Sequence, residues 1–193
     1  GLEALVALDA NTITDALAEK SIDIIINCLV ECYKHGDNED ARKVVHEASC
    51  AAGIAFNNAG LGICHALAHQ LGATFHIPHG LANAMILPHI VEYNASHCEL
   101  AMHKYATAVR KSGLASSGMG DRVVVRKLQS QIKNMMRQMN CPTSLTAFGI
   151  DTKEAMEATE HIVAAAKLDG TFPGNPVIPT DEDLSEIYHK IIK

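Results

Sequence analysis

The sequence predicts an all-α protein. Apolar residues recur at the 3.6-residue spacing of amphipathic helices along most of the chain, and strict alternation of apolar and polar residues is scarce. Strand-favouring aromatic residues are also few, with 4 Tyr, 4 Phe and no Trp among 193 residues. A chain of this length with 48% hydrophobic residues can close one core, so we expect a single helical bundle over residues 1–193.

The first two predicted helices are a long apolar one and an alanine-rich one. A helical pattern runs from Thr14 to about His35, and Gly36 ends it. The second runs from Asp40 to about Asn57. Its predicted inner face is mostly alanine, which allows a neighbouring helix to approach closely: Val44, Val45, Ala48, Ala51, Ala52 and Ala55.

Shorter helical patterns follow, separated by glycine, serine and proline. Pro88 is expected to end or kink the helix in which it lies. Residues 112–120 read SGLASSGMG, which predicts a mobile loop, and three prolines between Asp169 and Thr180 exclude a regular helix. Thr180 and Asp183 resemble a capping box that starts a last helix, ending within Lys190–Lys193. The other predicted helices are Leu61–Leu71, Gly80–Tyr93, Cys98–Lys111, Arg122–Met139 and Thr152–Leu168.

Charge and hydropathy argue against two classes of partner. The net charge is −6, and no run of Lys and Arg is interleaved with aromatic residues, so nucleic-acid binding is not expected. The longest apolar stretch, Ile24–Val30, is far shorter than the roughly 20 residues of a membrane span, so no membrane partner is expected either. Because the first residue is Gly1 and no signal peptide precedes it, we expect a fragment of a longer protein.

The six cysteines are interpreted as buried free thiols of a cytoplasmic protein. They fall within apolar helical patterns, and a chain of this size needs no disulfide to be stable. Cys28 and Cys32 are four residues apart, which is not the CxxC spacing of redox or zinc sites.

A histidine cluster carries most of the functional information. Five of the 11 histidines lie within residues 65–89: His65, His69, His76, His79 and His89. His65 and His69 are four residues apart, so on a helix both rings lie on one face and can converge on a divalent ion. His79 lies between Pro78 and Gly80 at the start of a predicted helix, where the backbone fixes the direction of its ring. The alternative is that these are packed histidines with hydrogen-bonded nitrogens.

The cluster does not match the zinc proteases. Ala66 stands where the HExxH pattern has its glutamate, so no general base is present there. Imidazole-rich sites suit Fe or Zn and usually take three or four protein ligands. Since no Asp or Glu occurs between Leu61 and Val91, the other ligands must come from elsewhere in the fold or from residues outside this chain.

Three segments of the chain resemble the iron-containing (group III) alcohol dehydrogenases, whose fold is shared with dehydroquinate synthase and glycerol dehydrogenase. They are TDALAEKSI, the long block from ARKVVHEASC to ILPHIVEYN, and DGTFPGNPVIPTDEDL. Members of this family have an N-terminal dinucleotide-binding domain and an all-helical C-terminal domain, with the metal between them. The resemblance covers only the second domain, and no GxGxxG-like segment replaces the first.

The resemblance implies roles for several residues. His65 and His79 match two metal ligands, and His69 matches a histidine that contacts the cofactor and takes part in proton transfer. Phe56 and Thr171 match positions of the substrate pocket. The family's other two ligands, an Asp and a His, belong to a segment with the pattern DAxTHAxEAYVS. The first residues of this chain, GLEALVA, resemble the end of that segment, so the chain would begin directly after the ligand His.

The implied function of the whole protein is hydride transfer between a primary alcohol and NAD or NADP, with Fe(II) or Zn polarising the substrate oxygen. We expect the isolated chain to be inactive, because it lacks the dinucleotide-binding domain. One alternative is a glycerol-dehydrogenase-like relative, and another is a non-catalytic helical module that forms a homo-oligomer through its alanine-rich faces. A metal-dependent hydrolase would need a carboxylate base near HALAH, and the sequence shows none there.

Overall fold

Eleven α-helices and one 3₁₀ turn form the regular structure of the computed structural model, which describes residues 1–193 and contains no strand. The all-α prediction is confirmed. The helices are α1 Leu2–Val6, α2 Thr12–Lys34, α3 Glu39–Ala59, α4 Ile63–Phe75, α5 His79–His97, α6 Glu99–Lys111, α7 Asp121–Gln138, α8 Leu145–Phe148, α9 Thr152–Glu157, α10 Thr159–Lys167 and α11 Asp181–His189, with the 3₁₀ turn at Phe172–Gly174.

Helix α4 lies at the centre of the bundle. Seven of its 13 residues are buried, and it packs against α5, α10 and the 3₁₀ turn. Its apolar residues belong to the larger of two core clusters, together with residues of α5, α10 and α11. The second cluster joins α1, α6 and α7. One face of α4 is left for His65 and His69, whose side chains are only partly buried.

Helices α2 and α3 pack on each other at the side of the bundle. The alanine-rich face of α3 is confirmed in part, because Ala48 and Ala55 are buried while Val44 and Ala52 are only half-buried. These buried alanines contact this chain's own helices. Those two positions are therefore covered within the chain, whereas the rest of this face is partly exposed.

Pro88 is expected to end or kink its helix, and the first alternative is wrong, because α5 continues to His97. An internal proline costs a helix about 3 kcal/mol. Around Pro88 the side chains of Met85, Ile86 and Ile90 are at most 1% exposed, and burying such side chains gains about 1.5–3 kcal/mol each. Gln129 on α7 also donates a 3.0 Å hydrogen bond to the Pro88 carbonyl.

Three other details differ from the prediction. The helix predicted over 152–168 is interrupted at Ala158, where the Thr159 hydroxyl donates to the Met156 carbonyl, 2.8 Å away. The last helix begins at the predicted capping box of Thr180 and Asp183, but it ends at His189. Ile191 and Ile192 lie beyond the end of this helix, because their carbonyls accept hydrogen bonds from the α8 backbone. The short helices α1 and α8 were not predicted.

Residues 112–120 form a loop, tied to α2 by the Asn27 amide, which donates to the Ser112 carbonyl at 3.1 Å. All six cysteines are free thiols, but only Cys64 is buried and Cys50 is exposed. No single helix has the length and apolar composition of a membrane crossing; α3 and α4 meet those criteria only as a pair bent by 107°.

A buried amide network fixes the proline-rich segment against α4 and α5. Asn94 and Asn175 are at most 1% exposed, and the Asn175 amide donates to Asn94 Oδ1 at 2.8 Å. Asn175 Oδ1 in turn accepts from the backbone N–H of Ile63 at 3.4 Å. Because Ile63 lies in the first turn of α4, this network helps to position the helix that carries His65 and His69.

We expect Asn175→Ala to lower the free energy of unfolding by about 1–3 kcal/mol, because it leaves buried polar groups of Asn94 and Ile63 without partners. The exposed Asn134 on α7 offers a control, and Asn134→Ala is expected to change stability by less than about 0.5 kcal/mol. Urea unfolding of both variants followed by circular dichroism measures the difference. Equal stability of the two variants would contradict the role given to the network.

Candidate functional site

Three histidine rings from α4 and α5 lie together at one surface of the bundle. The ring centroids of His65 and His79 are 5.3 Å apart, those of His69 and His79 are 5.5 Å apart, and those of His65 and His69 are 5.9 Å apart. The i, i+4 spacing on α4 places the first two rings on one face, as predicted from the sequence. His79, the first residue of α5, brings the third ring to the same place.

The turn between α4 and α5 makes this convergence possible. His76 ends α4 with φ 55°, in the left-handed region that few non-glycine residues adopt. Pro78 then precedes α5 and leaves His79 at its first position. His76 itself is exposed, and no contact joins it to the three rings.

A buried carboxylate holds the His65 ring. Glu3 of α1 is 6% exposed, and its Oε2 accepts a hydrogen bond from His65 Nδ1. Its Oε1 accepts from the backbone N–H groups of Gly62 at 2.9 Å and Cys64 at 3.0 Å, and more weakly from that of His65 at 3.4 Å. The carboxylate therefore caps the N-terminus of α4 and orients the imidazole at the same time.

A second carboxylate holds the His69 ring. Asp169 Oδ2 lies 2.8 Å from His69 Nδ1, and its other oxygen accepts from the backbone and hydroxyl of Thr171 at 2.9 and 2.8 Å. Burial raises the pKa of Asp169, but the hydrogen bonds from Thr171 and His69 outweigh it, so this pKa lies below its ordinary value. The carboxylate stays ionised beside the ring.

His79 is favoured in its neutral form. Partial burial and the neighbouring rings of His65 and His69 lower its pKa below the ordinary value. Its Nε2 lies 3.3 Å from the Asn83 amide, one turn further along α5. Neutral imidazole is the form that binds a metal ion.

The donor set fits part of a metal site. His65 and His79 offer two imidazoles, the ligand type that suits Fe and Zn, and Glu3 leaves His65 Nε2 without a protein partner. No group of three or more His, Cys, Asp or Glu side chains in this chain is placed to hold an ion by itself. The two imidazoles therefore fit part of the ligand set of a divalent ion, but not a complete one.

A mostly apolar cavity of about 400 Å³ adjoins His65 and Glu3. It extends between α2, α3, α5 and α7, and 16 of its 22 lining residues are hydrophobic, among them Phe56. Asn83 also lines it, and the Oδ1 of this side chain is buried without a hydrogen-bond partner. Thr171 does not line this cavity. Its hydroxyl instead donates to Asp169 Oδ1 and to the Gly62 carbonyl.

Sequence reasoning missed Glu3 and Asp169, although it found the three histidines. Both carboxylates lie far along the chain from their partners, 62 and 100 residues away. The available signal was their position in the GLEALVA and DGTFPGNP segments that carry the family resemblance. Both carboxylates are held by hydrogen bonds, so neither is a free base next to the cluster.

His89 lies apart from the three rings, in a basic pocket with Lys133, Arg137, Lys190 and Lys193. Burial lowers the pKa of His89 to about 4, with further contributions from Lys133 and Lys190 that the Glu92 carboxylate opposes. It stays neutral at neutral pH and does not contribute to the histidine cluster.

Comparison with known proteins gives consistent matches over almost the whole chain. Residues 1–192 match the family described as Fe-containing alcohol dehydrogenase, C-terminal. The chain is 36% identical over 187 residues to an NADPH-dependent butanol dehydrogenase of Clostridium saccharobutylicum, a match that covers 97% of the chain and 46% of that protein. It is 35% identical over 191 residues to a 1-propanol dehydrogenase of Citrobacter freundii, covering 99% of the chain and 51% of that protein.

Solved structures agree with these matches. The fold superposes on a crystal structure of 1,3-propanediol oxidoreductase with a TM-score of 0.90 and 32% identity, over 98% of this chain and 48% of that one. An alcohol dehydrogenase from Oenococcus oeni gives a TM-score of 0.89 at 32% identity, over the same shares of the two chains. The chain thus spans about half the length of the relatives it matches.

Acid is expected to destabilise the fold through His89. An unfolded histidine has a pKa of about 6.5, whereas folding lowers that of His89 to about 4. Between these values the unfolded chain binds more protons, so the free energy of unfolding falls as the pH drops through this window. In His89→Gln, urea unfolding at pH 7 and pH 5 should show a smaller loss of stability than in the parent chain. An equal or larger loss in the variant would contradict this.

Proposed function

The chain belongs to the Fe-containing alcohol dehydrogenase family, and we propose that it forms the metal-binding, all-helical C-terminal domain of an NAD(P)-dependent enzyme that interconverts a primary alcohol and an aldehyde. The convergence of His65, His69 and His79 carries this proposal. The matched relatives act, by their names, on butanol and 1-propanol, which supports a small primary alcohol as substrate.

His65 and His79 are the proposed metal ligands of this chain. The pKa of His79 lies below its ordinary value, which favours the neutral ring, and Glu3 leaves Nε2 of His65 available. When bound there, Fe(II) or Zn²⁺ supplies Lewis-acid polarisation of the alcohol oxygen. Two imidazoles bind such an ion weakly, so the site needs further ligands.

The missing ligands belong, in this proposal, to the Asp- and His-bearing segment whose end resembles GLEALVA, and the dinucleotide site belongs to a separate N-terminal domain. Residues 1–193 contain no GxGxxG-like segment and no strand, both of which a dinucleotide-binding domain of this family uses to hold the pyrophosphate. NAD or NADP, bound mainly by that domain, supplies the hydride acceptor or donor. We accordingly expect residues 1–193 alone to turn over no alcohol.

His69 is the proposed proton-transfer residue and also faces the cofactor. Asp169 accepts from its Nδ1, which leaves Nε2 to exchange a proton with the substrate oxygen or with a water. The side chain of His69 is 39% exposed, against 23% for His65, so it is the more accessible of the two rings on α4. The ionised Asp169 stabilises the imidazolium that forms when His69 takes up a proton.

The apolar cavity is the proposed site for the carbon skeleton of the substrate. Phe56, which is 40% exposed, and its apolar neighbours form a hydrophobic wall of this cavity next to His65. The unpartnered Asn83 Oδ1 is an acceptor that a substrate hydroxyl can satisfy. Thr171, the other predicted pocket residue, acts in this proposal through Asp169, which it holds beside His69.

Removing either proposed ligand is expected to strip the metal from the whole protein. Losing a residue that only hydrogen-bonds to a metal ligand weakens metal binding by roughly 10- to 100-fold. His65→Ala and His79→Ala remove a ligand itself, so each should weaken metal binding by more than that. Metal analysis by plasma mass spectrometry after dialysis measures this, with circular dichroism to check folding. The control is exposed His76→Asn, since asparagine accepts the left-handed backbone there. Full metal content in either alanine variant would refute the ligand assignment.

His69→Ala in the whole protein is expected to retain its metal and lower kcat by about 10²- to 10⁴-fold, the usual contribution of a positioned acid–base group. Metal content and steady-state kinetics on the same preparation separate this result from ligand loss. His97→Ala, at the far end of α5, serves as the control and should keep the parent rate. A His69 variant with the parent kcat would show that another group moves the proton.

A further inference from the structure

We infer that Glu3 is a positioning residue that fixes the tautomer of His65, so that the ring presents a bare Nε2 to the metal. This inference rests on the proposed function for the identity of the bound ion. Its structural part concerns only Glu3, His65 and the first turn of α4.

The position of the Glu3 carboxylate is strongly determined. The N–H groups of Gly62, Cys64 and His65 all point to Oε1, so this oxygen is held on the axis of α4 at its N-terminus. The other oxygen, Oε2, is thereby placed against His65 Nδ1. The carboxylate is 6% exposed, so water does not compete for either oxygen.

The absence of a side chain at Gly62 is part of this arrangement. A Cβ at Gly62 would lie 2.5 Å from Asn175 Oδ1 and 3.2 Å from Glu3 Oε1. Real Cβ contacts are not that short against a buried amide, so any other residue would displace Asn175 or Glu3. The glycine therefore lets both side chains reach the helix N-terminus.

The chemistry of the pair determines where the proton of His65 lies. A carboxylate only accepts hydrogen bonds, so the ring nitrogen that faces it must be the one that donates. In a neutral imidazole with a proton on Nδ1, Nε2 carries the lone pair that a metal ion needs. Glu3 therefore holds His65 in the tautomer that can bind metal through Nε2, even before any ion arrives.

Glu3→Gln separates this role from simple helix capping. The amide oxygen can still accept from Gly62 and Cys64, so the cap is kept. The amide NH₂ group then takes the place of Oε2, and because it only donates, Nδ1 must become the acceptor. The proton of His65 moves to Nε2, where it blocks metal binding.

The first measurement is the tautomer of His65 in the metal-free 193-residue chain above pH 8, by two-bond ¹H–¹⁵N correlation of the imidazoles. We expect the Nδ1–H form in the parent chain and the Nε2–H form in Glu3→Gln. Asp169→Asn is the matched control, because it changes the partner of His69 and should leave His65 as in the parent. An Nε2–H form in the parent chain would overturn the inference. This result is read from the parent chain alone, so it does not depend on whether any variant folds.

The second measurement is the affinity of the whole protein for Zn²⁺, by competition with a chromophoric chelator. Glu3→Gln should bind Zn²⁺ about 10- to 100-fold more weakly than the parent protein, with an unchanged circular dichroism spectrum. Equal affinity would overturn the inference. If the tautomers change as expected but the parent protein does not bind Zn²⁺ or Fe(II), the orienting role of Glu3 stands and the proposed metal site is wrong.

Discussion

The structure depends on which side chains accept hydrogen bonds from the backbone N–H groups at the buried N-terminus of α4. A buried helix end leaves backbone N–H groups that need partners, and here Glu3 and Asn175 supply them from opposite ends of the chain. Since α4 is also the central helix of the larger core cluster, these two side chains tie α1 and the proline-rich segment to the core. The same contacts set the position of His65, so the stability of the bundle and the geometry of the site share one anchor.

The two carboxylate–imidazole pairs differ in a way that suits two tasks. Glu3 is almost fully buried and makes four hydrogen bonds, which fixes His65 rigidly. Asp169 is 14% exposed, and its partner His69 is the more open of the two rings. A rigid imidazole suits metal binding, and an accessible one next to an ionised carboxylate suits proton exchange.

Most of the fold could be predicted from the sequence, because long amphipathic helices carry their own periodic signal, as α2 and α7 show. Local preference alone was not enough in two places: it could not choose between an end and a kink at Pro88, where buried neighbours keep α5 continuous, and it placed the end of α11 too late, because the carbonyls of Ile191 and Ile192 bind α8. The histidines could be found because they cluster in sequence. Their carboxylate partners could not be found by spacing, since only the fold brings Glu3 and Asp169 to α4.

The central claim is that this chain supplies one part of a metal site that residues outside 1–193 complete. Equilibrium dialysis against Zn²⁺ followed by plasma mass spectrometry tests it most directly, on residues 1–193 alone and on a protein extended by the dinucleotide-binding domain. The account predicts a stoichiometric, tightly held ion only in the extended protein, since two imidazoles alone are a weak site. Tight stoichiometric binding by residues 1–193 alone would contradict it, because the histidine cluster would then be a complete site.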